Sequence, residues 1–344
     1  MKDMAENHVL SIKDLTVFRG AAKILDRVTL ALGQGETLAL VGESGAGKST
    51  IATAIMRLLE NARVTGSATL AGEGDLLTLS EWKMVKLRGR RLSMIFQDAG
   101  TALNPSYTVG RQLGTTLQRI HGLSKADARK QAVELFTSVG INDPEGRMSA
   151  FPHQLSGGMQ QRVMVAIALA GSPDLLLADE PTSALDVTIQ AQIVRLILQL
   201  TRERGASCVF VLHDLALASQ ACDRIVVLYA GQVVESGPAR DVLERHRHPY
   251  TKQLKSCVLE IGAKDLVAPE GTVPSHDQMP NGCRFSTRCP RAVARCAGEA
   301  PPLVPARQTA TGPLDHHIAC WNPEGSRKPC PKPKHPSLNN PSLS

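Results

Sequence analysis

The chain has 344 residues, 42% of them hydrophobic, enough to pack a core and more than one hydrophobic core usually organises. Of the net charge of +7, +6 falls from Arg240 onward, where fifteen Lys or Arg face nine Asp or Glu; a basic tail of this kind reads as a solvated surface, or one near anionic lipid, so nucleic acid is not an expected partner. Apolar runs such as Val163 to Ala170 fall far short of the ~20 residues of a membrane-spanning helix, and the N-terminus lacks the basic-then-apolar order of a secretory signal, so a cytosolic chain is expected.

Val9 to Val17 and Arg27 to Leu32 alternate apolar and polar residues, which predicts two half-buried antiparallel strands. Thr37 to Val41 is a short apolar strand running into a glycine loop, and Ser49 to Leu59 has the composition of a helix. Strands are predicted at 64–70, 91–96, 175–178 and 208–212, and helices at 125–139 and 189–201, the first with Ala128, Ala132, Leu135 and Val139 on one face. This alternation predicts an α/β fold with a mostly parallel sheet covered by helices and a helical insertion in mid-chain. Fifteen of the twenty-one prolines lie from residue 240 onward, marking an irregular extension, and the last stretch is too poor in apolar residues to pack.

Gly42 to Ser49, GESGAGKS, satisfies the phosphate-loop pattern GxxxxGK[ST] between a strand and a helix. Its glycines let backbone N–H groups turn toward phosphate oxygens, Lys48 can reach the β and γ phosphates, Ser49 can ligate Mg²⁺, and the helix N-terminus favours an anion. Leu175 to Ala178 lead into Asp179 and Glu180, placing Asp179 to hold the Mg²⁺ shell and Glu180 to act as general base on the attacking water. Leu155 to Arg162, LSGGMQQR, begins an apolar helix with the side-chain-poor turn Ser156, Gly157 and Gly158, which leaves N–H donors open to a phosphate.

With that motif the sequence resembles the ABC ATPase family, over roughly residues 9–255 and with five motifs in the family's order. Gln97, in MIFQDAGTALNP, resembles the Q-loop; Ser183 to Asp186, SALD, the D-loop; and His213, after the strand ending at Leu212, the switch histidine. The resemblance implies a P-loop NTPase cassette with a mixed sheet core, an antiparallel β subdomain and a helical subdomain at about 100–170. It implies catalytic roles for Glu180, His213 and Gln97, and Mg²⁺ held by Ser49, Gln97 and Asp179. ATP would be contacted by Gly42, Glu43, Ser44, Gly45, Ala46, Gly47, Lys48, Ser49 and Thr50, by the signature residues Ser156, Gly157, Gly158 and Gln160, and by Asp186. Phe18 would stack on adenine or else belong to the core. Because phosphate loop and signature are too far apart to grip one ATP within one cassette, the family's head-to-tail dimer is implied.

GESGAGKS, FQDAGTALNP and PHQLSGGMQQRVMVAIAL resemble the branch that imports oligopeptides and dipeptides, as do HPYTKQL, VPSHDQMPNGCRFSTRCPRAVARC and HHIAC near the end. Ala99–Gly100 departs from the proline-containing pair usual in that branch. The branch implies a peripheral protein on the cytoplasmic face of a bacterial inner membrane. It also implies a paralogous second ATPase, two permease subunits and a periplasmic or lipid-anchored peptide-binding protein; nickel or metal-chelate cargo is the alternative, and a soluble non-transport ABC ATPase a remote one. The expected division is an ATPase domain at 1–255, an extension at 256–324 and a disordered tail at 325–344.

Eight cysteines lie at or after residue 208. Cys283, Cys289, Cys296 and Cys320, spaced Cx5Cx6Cx23C in a segment too apolar-poor for its own core, are expected to form one metal site. A 4Fe-4S cluster is favoured over zinc because the tight CxxC pairs usual for zinc are missing; reduced or disulfide-linked cysteines remain the other outcomes. Arg284, Arg288, Arg291 and Arg295 lie among them, either offsetting the cluster's charge or serving as plain surface charges. Following the ATPase motifs in sequence, the site is expected to be structural or regulatory and its loss to spare nucleotide binding.

Overall fold

The computed structural model describes residues 8–182, 186–256, 272–275, 278–306 and 315–325. Ser183 to Leu185 of the D-loop, Cys257, Cys330 and the tail beyond 325 lie outside the described residues.

Two sheets carry the fold. The first is antiparallel, ordered β2 (Ala22–Gly33), β1 (His8–Arg19), β4 (Ala62–Leu70), β5 (Gly74–Asp75). Its opening hairpin is longer at both ends than the alternation predicts: His8 pairs with Gly33 at the open end, and a turn at Gly20–Ala21, with Gly20 at φ 57°, lets Arg19 pair directly with Ala22. The second sheet begins with strands β3 (Thr37–Val41), β6 (Leu92–Ile95), β7 (Leu175–Asp179), β8 (Ser207–Leu212) and β9 (Arg224–Tyr229), all parallel in the order β9-β3-β8-β7-β6. On its β9 edge it continues antiparallel through β10 (Gln232–Pro238), β12 (His317–Ile318) and β11 (Val304–Pro305).

Period-two alternation in β3 divides the interior in two: Ala39 and Val41 face one core with helices Val109–His121, Lys125–Ser138, Gly157–Leu169 and Val187–Glu203, while Leu38 and Leu40 face the other with the antiparallel sheet and helix Lys48–Ile55. The predicted parallel core and helical insertion are therefore present. The helix after the phosphate loop ends at Ile55 rather than Leu59, since the chain leaves helical geometry at Arg57, φ 52°.

The extension differs from expectation. Its β11 and β12, only two residues each, complete the edge of the main sheet, and the buried Glu235 carboxylate of β10 fastens them. That carboxylate accepts from the N–H groups of Arg247 (2.7 Å) and His248 (3.1 Å) and pairs with His316 Nε2 at 2.7 Å. One acidic side chain thus ties the HPY segment and the HHIAC segment to the core. Burial on this scale is tolerated because the carboxylate's acceptor positions are filled.

Candidate nucleotide-hydrolysis site

Strands β3, β7 and β8 lie side by side, so the turns leaving their C-terminal ends converge, the place where open α/β sheets bind ligands. The phosphate loop leaves β3, Asp179 and Glu180 leave β7, and His213 leaves β8; Gln97 follows β6 beside them.

The loop's shape depends on missing side chains. A Cβ on Gly42 would strike the carbonyl oxygen of Leu228, and Gly47, at φ 95°, would strike the Leu25 side chain. Lys48 is 4% exposed and its ammonium donates to the carbonyls of Gly42 (2.9 Å) and Glu43 (3.0 Å). Burial lowers its pKa, opposed by the negative charges of Glu180, Asp179 and Glu43. The Ser49 hydroxyl donates to Asp179 Oδ1 at 2.6 Å, joining the two proposed Mg²⁺ ligands across the site. Asp179 is buried, and burial, followed by the repulsion of Glu180, raises its pKa against the pull of Ser49 and Lys48. A hard divalent cation suits such an oxygen pair, and its charge would relieve the burial cost.

Glu180 adopts φ 44°, a left-handed backbone uncommon for this residue type and costing on the order of 1–3 kcal/mol. The turn brings its carboxylate between two groups far apart in sequence: Gln97 Nε2 donates to Oε2 at 2.7 Å, and His213 Nε2 lies 2.5 Å from Oε1. The Glu180 side chain is 11% exposed and that of His213 50%, so the carboxylate is enclosed while the imidazole faces the open side.

The other predicted residues lie elsewhere. Ser156 caps helix Gly157–Leu169 through Met159 N–H (3.4 Å) and is exposed with Gly157. The Gln160 amide donates to the carbonyls of Pro152 and Leu155, bracing the loop that leads into this turn. Asp186 is exposed at the start of helix Val187–Glu203. Phe18, half-buried at the end of β1, has the Arg63 guanidinium 4.1 Å from its ring centroid.

The four extension cysteines are free thiols. Cys283 N–H donates to the Cys296 carbonyl at 2.8 Å. Burial pushes Cys320 up to about 12 and Cys289 up to about 11, and Cys283, Cys289 and Cys296 each raise Cys320 further by charge repulsion. Among the described residues no group of three or more His, Cys, Asp or Glu is arranged to hold a metal ion.

The neighbouring arginines have partners of their own. Arg284 pairs with Asp26, Arg288 with Glu43, and Arg295 with Glu299 and the Trp321 ring; Arg291 bonds Asn322 and Pro323 and offsets a small part of the rise that burial causes in the Cys289 thiol. The offset of a cluster's charge by all four is therefore not what the structure supports, and neither is a row of plain surface charges. Nor is the extension separate from the nucleotide core, since Glu43 belongs to the phosphate loop. Nothing in the sequence alone marks Tyr250, Glu235 or His316, and spacing makes Arg288 only a companion of the cysteines; the HPY segment and the CRFSTRC spacing are visible, but which loops they meet is a tertiary fact.

The ABC transporter family matches residues 25–183, and the oligopeptide/dipeptide transporter C-terminal region matches residues 234–296. A dimeric post-hydrolysis structure of the ATP-binding cassette MJ0796 bound to ADP and Pi is 30% identical with TM-score 0.60, covering 67% of this chain and 99% of that one. Fold and site therefore define an ATP-binding cassette. The dipeptide transport ATP-binding protein DppD of Haemophilus influenzae is 45% identical over 327 residues, 93% of this chain and 94% of that protein. DppD of Escherichia coli strain K12 is 46% identical over 285 residues, 82% and 87% of the two chains. The chain belongs to the ABC transporter ATP-binding family, in the branch that carries the oligopeptide/dipeptide transporter C-terminal region. Among the described residues no helix is long and apolar enough to cross a membrane.

Proposed function

We propose that this chain binds and hydrolyses MgATP to power a bacterial importer of dipeptides or oligopeptides, working at the cytoplasmic face of the inner membrane. Its partners in this reading are a paralogous second ATPase, two permease subunits and a periplasmic or lipid-anchored peptide-binding protein. The observation that carries the hydrolytic reading is the Glu180 carboxylate held between Gln97 and His213, one residue after the Asp179 that meets Ser49. The cargo reading rests on the names of the relatives and on the C-terminal region at 234–296.

The segment from Gly42 to Thr50 wraps the phosphates, and Lys48 exchanges the carbonyls of Gly42 and Glu43 for β and γ oxygens. Ser49, Asp179 and Gln97 would hold Mg²⁺, which supplies neutralising charge to the phosphates. Glu180 takes the proton of the attacking water, Gln97 and His213 keep its two oxygens oriented, and His213 faces the γ phosphate. Phe18 stacks on the adenine. Ser156, Gly157 and Gly158, with Gln160 and Asp186, serve the ATP held by the opposite subunit.

Cys283, Cys289, Cys296 and Cys320 are the candidate ligands of a 4Fe-4S cluster, with zinc as the alternative. Support comes from the Cx5Cx6Cx23C spacing of four free thiols and from the softness of that donor set; among the described residues they are not arranged as a preformed metal site. Anaerobic purification with iron, sulfide and zinc analysis decides it: a folded, metal-free extension removes both metals, and zinc without sulfide removes the cluster.

Reconstitution with permeases and binding protein in vesicles tests the whole reading. Peptide-loaded binding protein is expected to stimulate ATP hydrolysis and drive uptake of a labelled dipeptide. Uptake of nickel or a metal chelate without peptide would reassign the cargo.

A further inference from the structure

The cysteine-bearing segment meets the phosphate loop directly at Arg288 and indirectly, through Ala230 and Gly231, at Arg284. Arg288, its side chain 4% exposed, forms a two-pronged ion pair with Glu43, Nη1 to Oε2 at 2.9 Å and Nη2 to Oε1 at 3.1 Å. Four residues earlier, Arg284 donates to the Ala230 carbonyl and to Asp26 Oδ2 at 3.1 Å. The adjoining Gly231 N–H in turn donates to the carbonyl of Ala46, inside the loop, at 3.0 Å. Tyr250 adds a third hold, its hydroxyl accepting from Glu43 N–H at 2.8 Å.

These contacts fix the peptide groups that matter for phosphate binding. With its N–H committed to Tyr250 and its carboxylate to Arg288, Glu43 presents its carbonyl to Lys48 at 3.0 Å, sharing the ammonium with the Gly42 carbonyl at 2.9 Å. Tyr229, Tyr250 and Phe285, all fully buried, pack edge-on or tilted with centroids 4.7–5.4 Å apart and close the space behind Glu43. The Arg288 guanidinium lies 5.7 Å from the Tyr229 centroid and 5.9 Å from that of Phe285. A planar fork against a carboxylate fixes orientation as well as charge, which a lysine in the same place would not do.

We propose that the C-terminal extension is a working part of the nucleotide site, with Arg288 and Tyr250 as positioning residues that hold Glu43 and so keep the phosphate loop and Lys48 poised for ATP. The inference rests on the reading of Gly42 to Ser49 as the ATP phosphate loop. It assigns the Glu43 side chain to the loop's rear support rather than to the phosphates. It also links the loop, through Arg288, to the segment bearing Cys283 and Cys289, which immediately precede Arg284 and immediately follow Arg288. Loosening the clamp removes preorganisation present before ATP arrives, so the effect falls on affinity and KM more than on kcat.

The test is equilibrium binding of a fluorescent ATP analogue to the full chain, with ATPase rates at saturating MgATP. Arg288→Ala and Glu43→Gln are each expected to weaken binding roughly tenfold, with the double variant no weaker than the worse single, as for groups acting through one contact. For Arg288→Ala the rate at saturation is expected to stay within about twofold, and Arg288→Lys to recover part of the affinity. Lys48→Ala serves as the reference: if it leaves binding intact, the phosphate-loop reading has failed rather than the clamp. Unchanged affinity in Arg288→Ala with a wild-type melting temperature overturns the proposal, as does full additivity in the double variant. Should Arg288→Ala not fold, Glu43→Gln decides alone, unchanged affinity there overturning the clamp.

Discussion

The phosphate loop and the signature turn are both glycine-rich and both precede helices, yet the chain holds them differently. Around the loop, Lys48 is buried on two carbonyls, Gly42 lies against the Leu228 backbone, and Glu43 is tied to Arg288 and Tyr250. At the signature turn, Ser156 and Gly157 are exposed, and among the described residues the Ser156 hydroxyl meets only the first turn of its own helix. One element is braced by distant parts of the sequence; the other presents its N–H groups to solvent from a capped helix start. A site whose binding half is braced and whose second half faces outward fits the proposed exchange of signatures between two subunits, each ATP being gripped by both.

The difference is broken most directly at Glu180. Glu180→Gln keeps the shape and the Gln97 contact but removes the base, and turnover is expected to fall at least ~10²-fold while ATP binding persists. Trapped, ATP-bound dimers on size-exclusion chromatography are the companion readout; a near-normal steady-state rate would remove Glu180 from its role. Lys48→Ala is expected to weaken ATP binding by about 10- to 100-fold in the isolated chain, the loss of a charge-assisted contact made in the ground state. Ser156→Arg sharpens the contrast. It is expected to leave binding by the isolated chain unchanged and to lower turnover at least about tenfold by closing the N–H turn to the opposite ATP; weaker binding in the isolated chain would show that the signature serves its own subunit's nucleotide.

A smaller effect is expected on the segment Ala102 to Tyr107, which follows Gln97 and is exposed except at Leu103. Substitutions there are expected to reduce transport per ATP hydrolysed while leaving nucleotide affinity alone. Cross-linking from this segment to a permease subunit checks the contact; no cross-link at any of these positions would remove it from the coupling path.

How much of this was legible in sequence follows from how local each feature is. Lys48, Ser49, Asp179 and Glu180 sit at the junctions of short apolar strands with loops, and strand polarity and loop composition are written over a few residues. The contact of Gln97 and His213 with one carboxylate depends on β6, β7 and β8 being neighbours, which the motif order implied only through the family resemblance. The predicted elements omit strands β9 and β10, although Ile225 to Tyr229 is a continuous apolar run, and without them the site of attachment of the extension is invisible. In sequence the arginines of the CRFSTRC segment are companions of the cysteines, because spacing reports only neighbours along the chain. Their actual partners, Asp26 and Glu43, lie more than two hundred residues away.

The last prediction concerns the tie between extension and core. His248 is 1% exposed; its ring nitrogen Nδ1 accepts from Tyr250 N–H at 3.1 Å, and burial lowers its pKa from 6.5 to about 4 in spite of the nearby Glu235 carboxylate. A histidine kept neutral by the fold contributes stability that is fully present above its unfolded pKa. As pH falls below about 6.5 the unfolded chain takes up a proton that the folded chain refuses until about 4, so stability is lost across that window. Between pH 7 and 5.5 the loss is expected to be about 1 kcal/mol, or about 1–2 °C in melting temperature. A glutamine side chain titrates in neither state, so His248→Gln is expected to flatten this part of the profile whatever it does to absolute stability. Nucleotide affinity at pH 7 is the second readout, because Tyr250 lies two residues on and holds the Glu43 N–H. A His248→Gln profile parallel to the wild type from pH 7 to 5.5 would show that the histidine titrates alike in the folded and unfolded chains, and would return the acid sensitivity of the extension to its carboxylates.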